Sequence, residues 1–163
     1  MRPAALEAPA DWASLRSPEN YTGYGRTENF ASPGGAVPGK PHVYTVPARL
    51  GLNEWALSGD WRMSQASVAL AEPGGIISCR FHARDLHLVM GPVTRPGPVR
   101  CRVRLDGQPP GASHGIDVDD GGEVTVTGQR LYQLVRQPGP IADRLFEIEF
   151  EDAGIEAFVF TFG

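Results

Sequence analysis

The sequence predicts an all-β fold, an antiparallel β-sandwich of the jelly-roll, carbohydrate-binding-module-like type, from two observations. The first is a series of about nine short segments in which apolar and polar residues alternate between turn residues. The second is the composition, because 20 glycines and 15 prolines accompany 41% hydrophobic residues in a chain of 163. Such a chain is rich in turns and still fills one core, so a sandwich or barrel is favoured.

The clearest predicted strand is VRCRVRLDG at 99–107, where apolar residues alternate with arginines before an Asp-Gly turn. The last strand carries Phe158, Phe160 and Phe162 at alternate positions, which predicts that it lies at the centre of the core with all three rings on one face. The other predicted strands are NEWALSGDWRM (53–63), SVALA (67–71), IISCRFHA (76–83), LHLVM (86–90), EVTVT (123–127), RLYQLVRQ (130–137) and LFEIEFE (145–151).

The N-terminal quarter of the chain has a different pattern, which divides the sequence into a connector (1–41) and a β-sandwich domain (42–163). Residues 10–15 fit a short helix, and the turn signals SPEN, TGYG, SPGG and PGKP then follow one another. Tyr21, Tyr24 and Phe30 are unusual in an idle linker. We expect these rings to attach the connector to the sandwich or to face a partner.

Charge and hydropathy argue against several classes of protein. The net charge of −4 disfavours nucleic acid as the main partner. No stretch approaches eighteen apolar residues, so no membrane span is predicted. The N-terminus lacks the charged and apolar regions of a secretory signal, so we expect another part of a longer protein to direct any export.

The cysteines do not predict a redox centre. Cys79 and Cys101 are far apart in sequence and both occupy apolar strand positions, so buried free thiols are expected. A structural disulfide and a metal or redox role are the alternatives. The four histidines show no HExxH or HxH spacing, and no catalytic triad or phosphate loop is present, so the chain is not predicted to be an enzyme.

The acidic loop DVDDGGE is a weak candidate for a calcium site through Asp117, Asp119 and Asp120. It lacks the spacing of an EF-hand, and an exposed acidic hairpin tip is the favoured interpretation. No cofactor is expected, although structural calcium stays open.

Two sets of basic residues point outward from predicted strands. One consists of Arg80, His82 and Arg84, and the other alternates along residues 100–104. A solvated face with ion pairs to Glu147, Glu149 and Glu151 is the simpler interpretation. The alternative is a polar cleft or a docking face for an acidic partner.

Several longer motifs resemble the C-terminal domain of DipZ-type proteins, which are cytochrome c biogenesis and thioredoxin-family membrane proteins. The resemblance covers residues 17–163 through YTGYGRTENFASPGG, LNEWALSGDW, RFHARDLHLV, LDGQPPGASHGIDVD, RLYQLVRQPGPIADRLFEIEF and AFVFTFG. It implies a carbohydrate-binding-module-like sandwich next to an extracytoplasmic, periplasmic thioredoxin-like domain. This chain has no CxxC, so the resemblance implies a non-catalytic accessory module.

Two functions are open for such a module. In the first, it binds carbohydrate or cell-wall glycan, and the candidate ligand-binding residues are Arg80, His82, Arg84, Arg102, Arg104, His114 and Tyr132. In the second, it docks the neighbouring thioredoxin-like domain or its substrate, and the candidates are Tyr21, Tyr24, Arg26, Glu28 and Asn29. Exposure of both Trp55 and Trp61 in a groove would favour sugar binding, although both occupy the predicted core face. A catalytic role for the loop at 114–119 is disfavoured.

Overall fold

The computed structural model describes residues 8–93 and 97–163, and these residues form antiparallel β-strands without an α-helix. A 3-10 turn at Gly111–Ser113 is the only named helical element in the described ranges. None of the described residues forms a helix with the length and apolarity needed to cross a membrane. The predicted all-β antiparallel fold is therefore confirmed. The strands are β1 (Asn20–Tyr21), β2 (Pro41–Tyr44), β3 (Trp55–Met63), β4 (Val68–Leu70), β5 (Ile76–Phe81), β6 (Asp85–Pro92), β7 (Val99–Leu105), β8 (Glu123–Val126), β9 (Arg130–Arg136), β10 (Arg144–Phe150) and β11 (Ile155–Phe162).

The strands form one curled sheet with the hydrogen-bonded order β8-β7-β10-β5-β3-β4-β11-β6-β9. Strand β3 joins its two halves, because residues 55–58 pair with β5 while residues 59–63 pair with β2 and β4. Gly59 lies where the strand changes partners and has a φ of 104°, a conformation that other residues rarely adopt. The two halves of the predicted sandwich are thus continuous through a single bent strand.

Aromatic rings from both halves fill the space between them. Phe146 of β10 meets Phe160 of β11 edge-on at 6.1 Å, and Phe81 of β5 stacks on Phe162 at 5.8 Å. Trp61 packs edge-on against Phe150 at 5.8 Å between their ring centroids. Trp55 and Trp61 are both buried. The prediction from strand alternation that Trp55 and Trp61 lie on the core face is therefore confirmed.

Strand β11 lies inside the sheet between β4 and β6, but its three phenylalanines do not share one face. A β-bulge interrupts its pairing with β6 between Ala157 and Val159, and Phe158 is the additional residue. The bulge leaves Phe160 buried and turns the half-buried Phe158 away from its expected position. The expectation that all three rings lie on one face is wrong for Phe158.

The N-terminal segment packs along the sheet and contributes two short strands that the turn-rich sequence concealed. Residues 20–21 pair with β11, and residues 41–44 pair with β3. The Phe30 ring lies 4.7 Å from that of Trp55 and 5.6 Å from that of Tyr44, which attaches the segment to the core as expected. The predicted helix at 10–15 is wrong, because the structure has only a turn at 12–14. The boundary at residues 41 and 42 stays a prediction.

We predict that Phe160→Ala lowers the free energy of unfolding by about 3–5 kcal/mol, because it opens a cavity between the two halves. Phe158→Ala is the matched control in the same strand and should cost clearly less, since that ring is only half-buried. Urea denaturation of the three proteins measures both effects. Equal losses for the two variants would contradict the bulged register.

Candidate functional site

The loop at 114–117 runs along the outer edge of β9 and forms one wall of a cleft. His114 makes a β-bridge with Val135, and the Gly115 amide donates to the Leu134 carbonyl at 2.9 Å. A side chain at position 115 would place its Cβ 2.2 Å from the Gln133 carbonyl oxygen. Because only glycine allows this approach, Gly115 holds the loop against the strand.

The resulting cleft has a volume of about 240 Å³ and opens beside β6 and β9. Its floor and walls combine polar and apolar groups, which is typical of small-molecule sites. The lining residues are Asp85, His87, His114, Gly115, Ile116, Gln133, Val135 and Arg136.

A buried carboxylate organises one end of the cleft. The side chain of Asp85 is 1% exposed and lies between Arg84 and Arg136. Arg136 donates from Nε and Nη2 to the two carboxylate oxygens at 2.8 Å each, and Arg84 donates from the same two nitrogens at 3.2 and 2.9 Å. Burial alone would raise the pKa of Asp85, but the hydrogen bonds and charges of the two arginines outweigh it and lower that pKa.

Two histidines contribute to the cleft. His87 is buried on β6, and its Nδ1 lies 3.3 Å from the Thr161 hydroxyl. His114 is half-buried, and its Nδ1 lies 2.8 Å from the Gly115 carbonyl. Because a carbonyl only accepts, Nδ1 of His114 carries the proton, which leaves Nε2 as an acceptor in the neutral ring. The cleft therefore presents both donors and acceptors.

The structure distributes the seven predicted ligand-binding residues over three places. His114 lines the cleft, and Arg84 supports it through Asp85 and the Pro9 carbonyl. Tyr132 is a core residue, because its ring is buried and its hydroxyl donates to the Gly128 carbonyl. The other four lie on the outer face of the β5-β10-β7 half and are Arg80, His82, Arg102 and Arg104.

These four basic residues share one face but have partners within the chain. Arg104 binds Glu149 at 3.1 Å and Arg102 binds Glu123 at 3.3 Å. The remaining two contacts are Arg80 Nε to the Leu50 carbonyl at 2.7 Å and His82 Nδ1 to Asp143 Oδ1 at 2.5 Å. The face therefore resembles the ion-paired surface that was the simpler interpretation. Its partners differ in part from those expected, because Glu149 pairs with Arg104, whereas Arg102 pairs with Glu123 and His82 with Asp143.

Two of the five predicted docking residues, Tyr21 and Arg26, line a separate, mainly apolar groove. Tyr21, Arg26 and Phe158 line this groove together with Gly25, Gln65 and Ala66, and its volume is about 400 Å³. The guanidinium carbon of Arg26 lies 3.9 Å from the centre of the Tyr21 ring, a cation–π contact. The bulge in β11 supplies Phe158 to this groove.

The other docking candidates differ in their surroundings. Tyr24 is 42% exposed. Glu28 exchanges two hydrogen bonds between its backbone and the Asn20 side chain, at 2.8 and 3.0 Å. Asn29 adopts a φ of 60° and accepts a hydrogen bond from the Trp55 amide. Glu28 is therefore held against β1 and Asn29 against β3, and neither residue lines the groove.

The calcium candidates do not converge. Asp117 accepts two hydrogen bonds from Arg130 and one from the Gln133 amide, while Asp119 accepts from the Glu123 amide. Within the described ranges, no group of three or more His, Cys, Asp or Glu residues is placed to hold a metal. Asp120 is exposed at the hairpin tip.

Both cysteines are free and buried. Burial raises the pKa of the Cys79 thiol to about 12, and burial together with Asp152 and Glu151 raises the pKa of Cys101. Both thiols are therefore protonated at neutral pH, and a reactive thiolate is absent from these two positions.

The family model described as "Thioredoxin like C-terminal domain" matches residues 17–163. The chain belongs to this family. Protein DipZ from Mycobacterium bovis and Protein DipZ from Mycobacterium tuberculosis are each 28% identical to this chain over 147 residues. The match covers 90% of this chain and 18% of each DipZ protein, so the chain spans about a fifth of these relatives. The resemblance of this chain to the C-terminal domain of DipZ-type proteins is therefore confirmed.

Sequence reasoning missed most of the cleft. Four lining residues were not singled out, because they lie on or next to predicted strands and meet only through the pairing of β6 with β9; they are Asp85, His87, Gln133 and Arg136. The sequence feature that could have pointed to this cleft is His87, a histidine within an otherwise apolar predicted strand.

We predict that Asp85→Asn lowers the free energy of unfolding by about 2–4 kcal/mol at neutral pH, because it leaves two adjacent guanidinium groups without their anion. The folded-state pKa of Asp85 is lowered, so its contribution is present above the ordinary carboxyl pKa of about 4 and is lost as the pH falls through the folded-state value. The difference between the two proteins should therefore shrink in acid. Denaturation curves at pH 7 and at lower pH measure this.

The matched control is Glu123→Gln, which breaks the exposed ion pair with Arg102. It should cost less than about 1 kcal/mol. If Asp85→Asn were equally mild at pH 7, the buried carboxylate would not organise the cleft.

Proposed function

We propose that this domain is a non-catalytic accessory module of a DipZ-type thiol–disulfide redox protein and that it binds a saccharide in the cleft between β6, β9 and the 114–117 loop. Family membership supports the accessory role, and the family resemblance supports a position on the extracytoplasmic side beside a thioredoxin-like domain. The observation that carries the saccharide proposal is the cleft itself, where donors and acceptors surround a space of about 240 Å³.

Recognition in this cleft depends on hydrogen bonds rather than on stacking against tryptophan. Trp55 and Trp61 are buried, so neither supplies the exposed ring that would favour sugar binding by stacking. His114, Gln133 and Arg136 instead line the cleft, and these residue types carry donors and acceptors that suit the hydroxyl groups of a sugar. Gly115 and Ile116 supply a closely fitting, less polar wall.

We predict that a saccharide ligand at one hundred times its dissociation constant stabilises the domain by about 2.7 kcal/mol, which raises the unfolding midpoint by about 5–10 °C. Thermal unfolding against a panel of cell-wall oligosaccharides measures the shift. His114→Ala should reduce affinity at least about fivefold, because it removes one wall group of the cleft.

The matched control is His82→Ala, on the outer face of the other half. It should leave binding unchanged. Loss of binding in His82→Ala alone would move the site to the basic face, and no shift with any saccharide would contradict the proposal.

A second candidate function is docking of the neighbouring thioredoxin-like domain, favoured by the groove of Tyr21, Arg26 and Phe158. The groove is mainly apolar. The Arg26 guanidinium lies over the Tyr21 ring and, in the described part of the chain, forms no ion pair with a carboxylate. A protein surface with an apolar side chain beside an acidic one would complement it.

We predict that Arg26→Glu weakens binding to the thioredoxin-like domain of a DipZ-type protein at least about tenfold, as measured by titration calorimetry. Arg102→Glu, on the ion-paired face, is the control and should have little effect. The reverse order of effects would assign docking to the basic face.

A further inference from the structure

We infer that the cleft selects saccharides that carry a carboxylate, such as uronic acids, over neutral sugars. This inference rests on the proposed saccharide binding at the same cleft and adds the charge of the ligand. It comes from three features: the net charge of the ion-paired group around Asp85, the remaining donors of Arg136, and the neutral polar residues that line the same cleft.

The ion-paired group of Asp85, Arg84 and Arg136 carries a net charge of +1. Asp85 contributes one negative charge, and Arg84 and Arg136 each contribute one positive charge. The neighbouring Asp117 and Arg130 form a separate pair at 2.9 Å and cancel each other. A ligand with a negative charge would therefore complete the balance, whereas a neutral ligand leaves one arginine in excess.

Arg136 has a free edge with the geometry that a second carboxylate needs. Asp85 accepts from its Nε and from one hydrogen of Nη2, which is a side-on contact. A guanidinium group has five N–H donors, so Nη1 and the other hydrogen of Nη2 remain as a parallel pair. Within the described ranges, Asp85 is the one carboxylate that Arg136 contacts.

The two residues of the Arg136–Asp85 ion pair differ in exposure, and we assign them different roles for that reason. The side chain of Arg136 is 42% exposed, whereas that of Asp85 is 1% exposed. Asp85 therefore acts as a positioning residue that holds Arg136 at the cleft, and Arg136 contacts the ligand. Because both Nε and Nη2 are held, the guanidinium is oriented before the ligand arrives.

Other lining residues of the cleft supply groups that suit hydroxyls. His114 has Nε2 as an acceptor in its neutral form, and Gln133 carries a side-chain amide. A ligand with a carboxylate at one end and vicinal hydroxyls beside it therefore uses both kinds of group. A simple carboxylate such as acetate uses only Arg136.

The test compares cellobiouronic acid with cellobiose, which differ by a carboxylate in place of a hydroxymethyl group, in titrations followed by calorimetry at low ionic strength. We expect the acidic disaccharide to bind at least about tenfold more tightly than the neutral one. Arg136→Gln should abolish this preference, and Arg136→Lys should lose most of it, because lysine keeps the charge without the parallel donors. Near-ultraviolet circular dichroism confirms that each variant is folded.

Arg102→Gln is the control, because that arginine lies on the outer face of the other half, and it should keep the full preference. Equal binding of both disaccharides would overturn the inference and leave the proposed function standing. Binding of neither disaccharide would overturn the proposed function at this cleft and the inference with it. Acetate binding as tightly as the acidic disaccharide would show plain anion binding and would overturn saccharide recognition.

Discussion

The clamp of Arg84 and Arg136 on the buried Asp85 carboxylate is the interaction on which the cleft depends. It connects the start of β6 to the end of β9, two segments that the chain order separates. The backbone of Asp85 also exchanges hydrogen bonds with Gly163, at 3.1 and 3.2 Å, so the same residue anchors the end of β11. A carboxylate at this depth is stable only because both of its oxygens receive paired donors. Arg136 is thereby held at the cleft surface in one orientation.

Around this clamp, the fold separates three surfaces with different chemistry. The β5-β10-β7 half has an outer face that carries both arginines and carboxylates, and these side chains form ion pairs with one another. The cleft beside β6 and β9 combines polar and apolar lining residues. The groove formed by the β11 bulge is mainly apolar and aromatic. The two proposed functions therefore use different residues of the domain.

The sequence was sufficient to predict β3 to β11, because alternation is a local signal and each of these strands carries it alone, whereas the short β1 and β2 depend on pairing with β11 and β3. Trp55, Trp61 and both cysteines were placed on the core face for that reason. The bulge at Phe158 was not predictable, since it depends on the pairing of β11 with β6. The cleft was also hidden, because Asp85 and Arg136 are 51 residues apart and neither is unusual alone. Only His114 and Arg84 were found among its groups, through a glycine-rich loop and a basic cluster.

Nuclear magnetic resonance of the isotope-labelled chain during titration with cellobiouronic acid locates the ligand site directly. Backbone amide signals report each surface separately in one experiment. We expect concentration-dependent shifts at residues 85–87, 114–117 and 133–136, with little change in the groove at 21–26 or on the outer face at 100–104. Shifts confined to either of those other surfaces, or no shift at any concentration tested, would show that the cleft is not the ligand site.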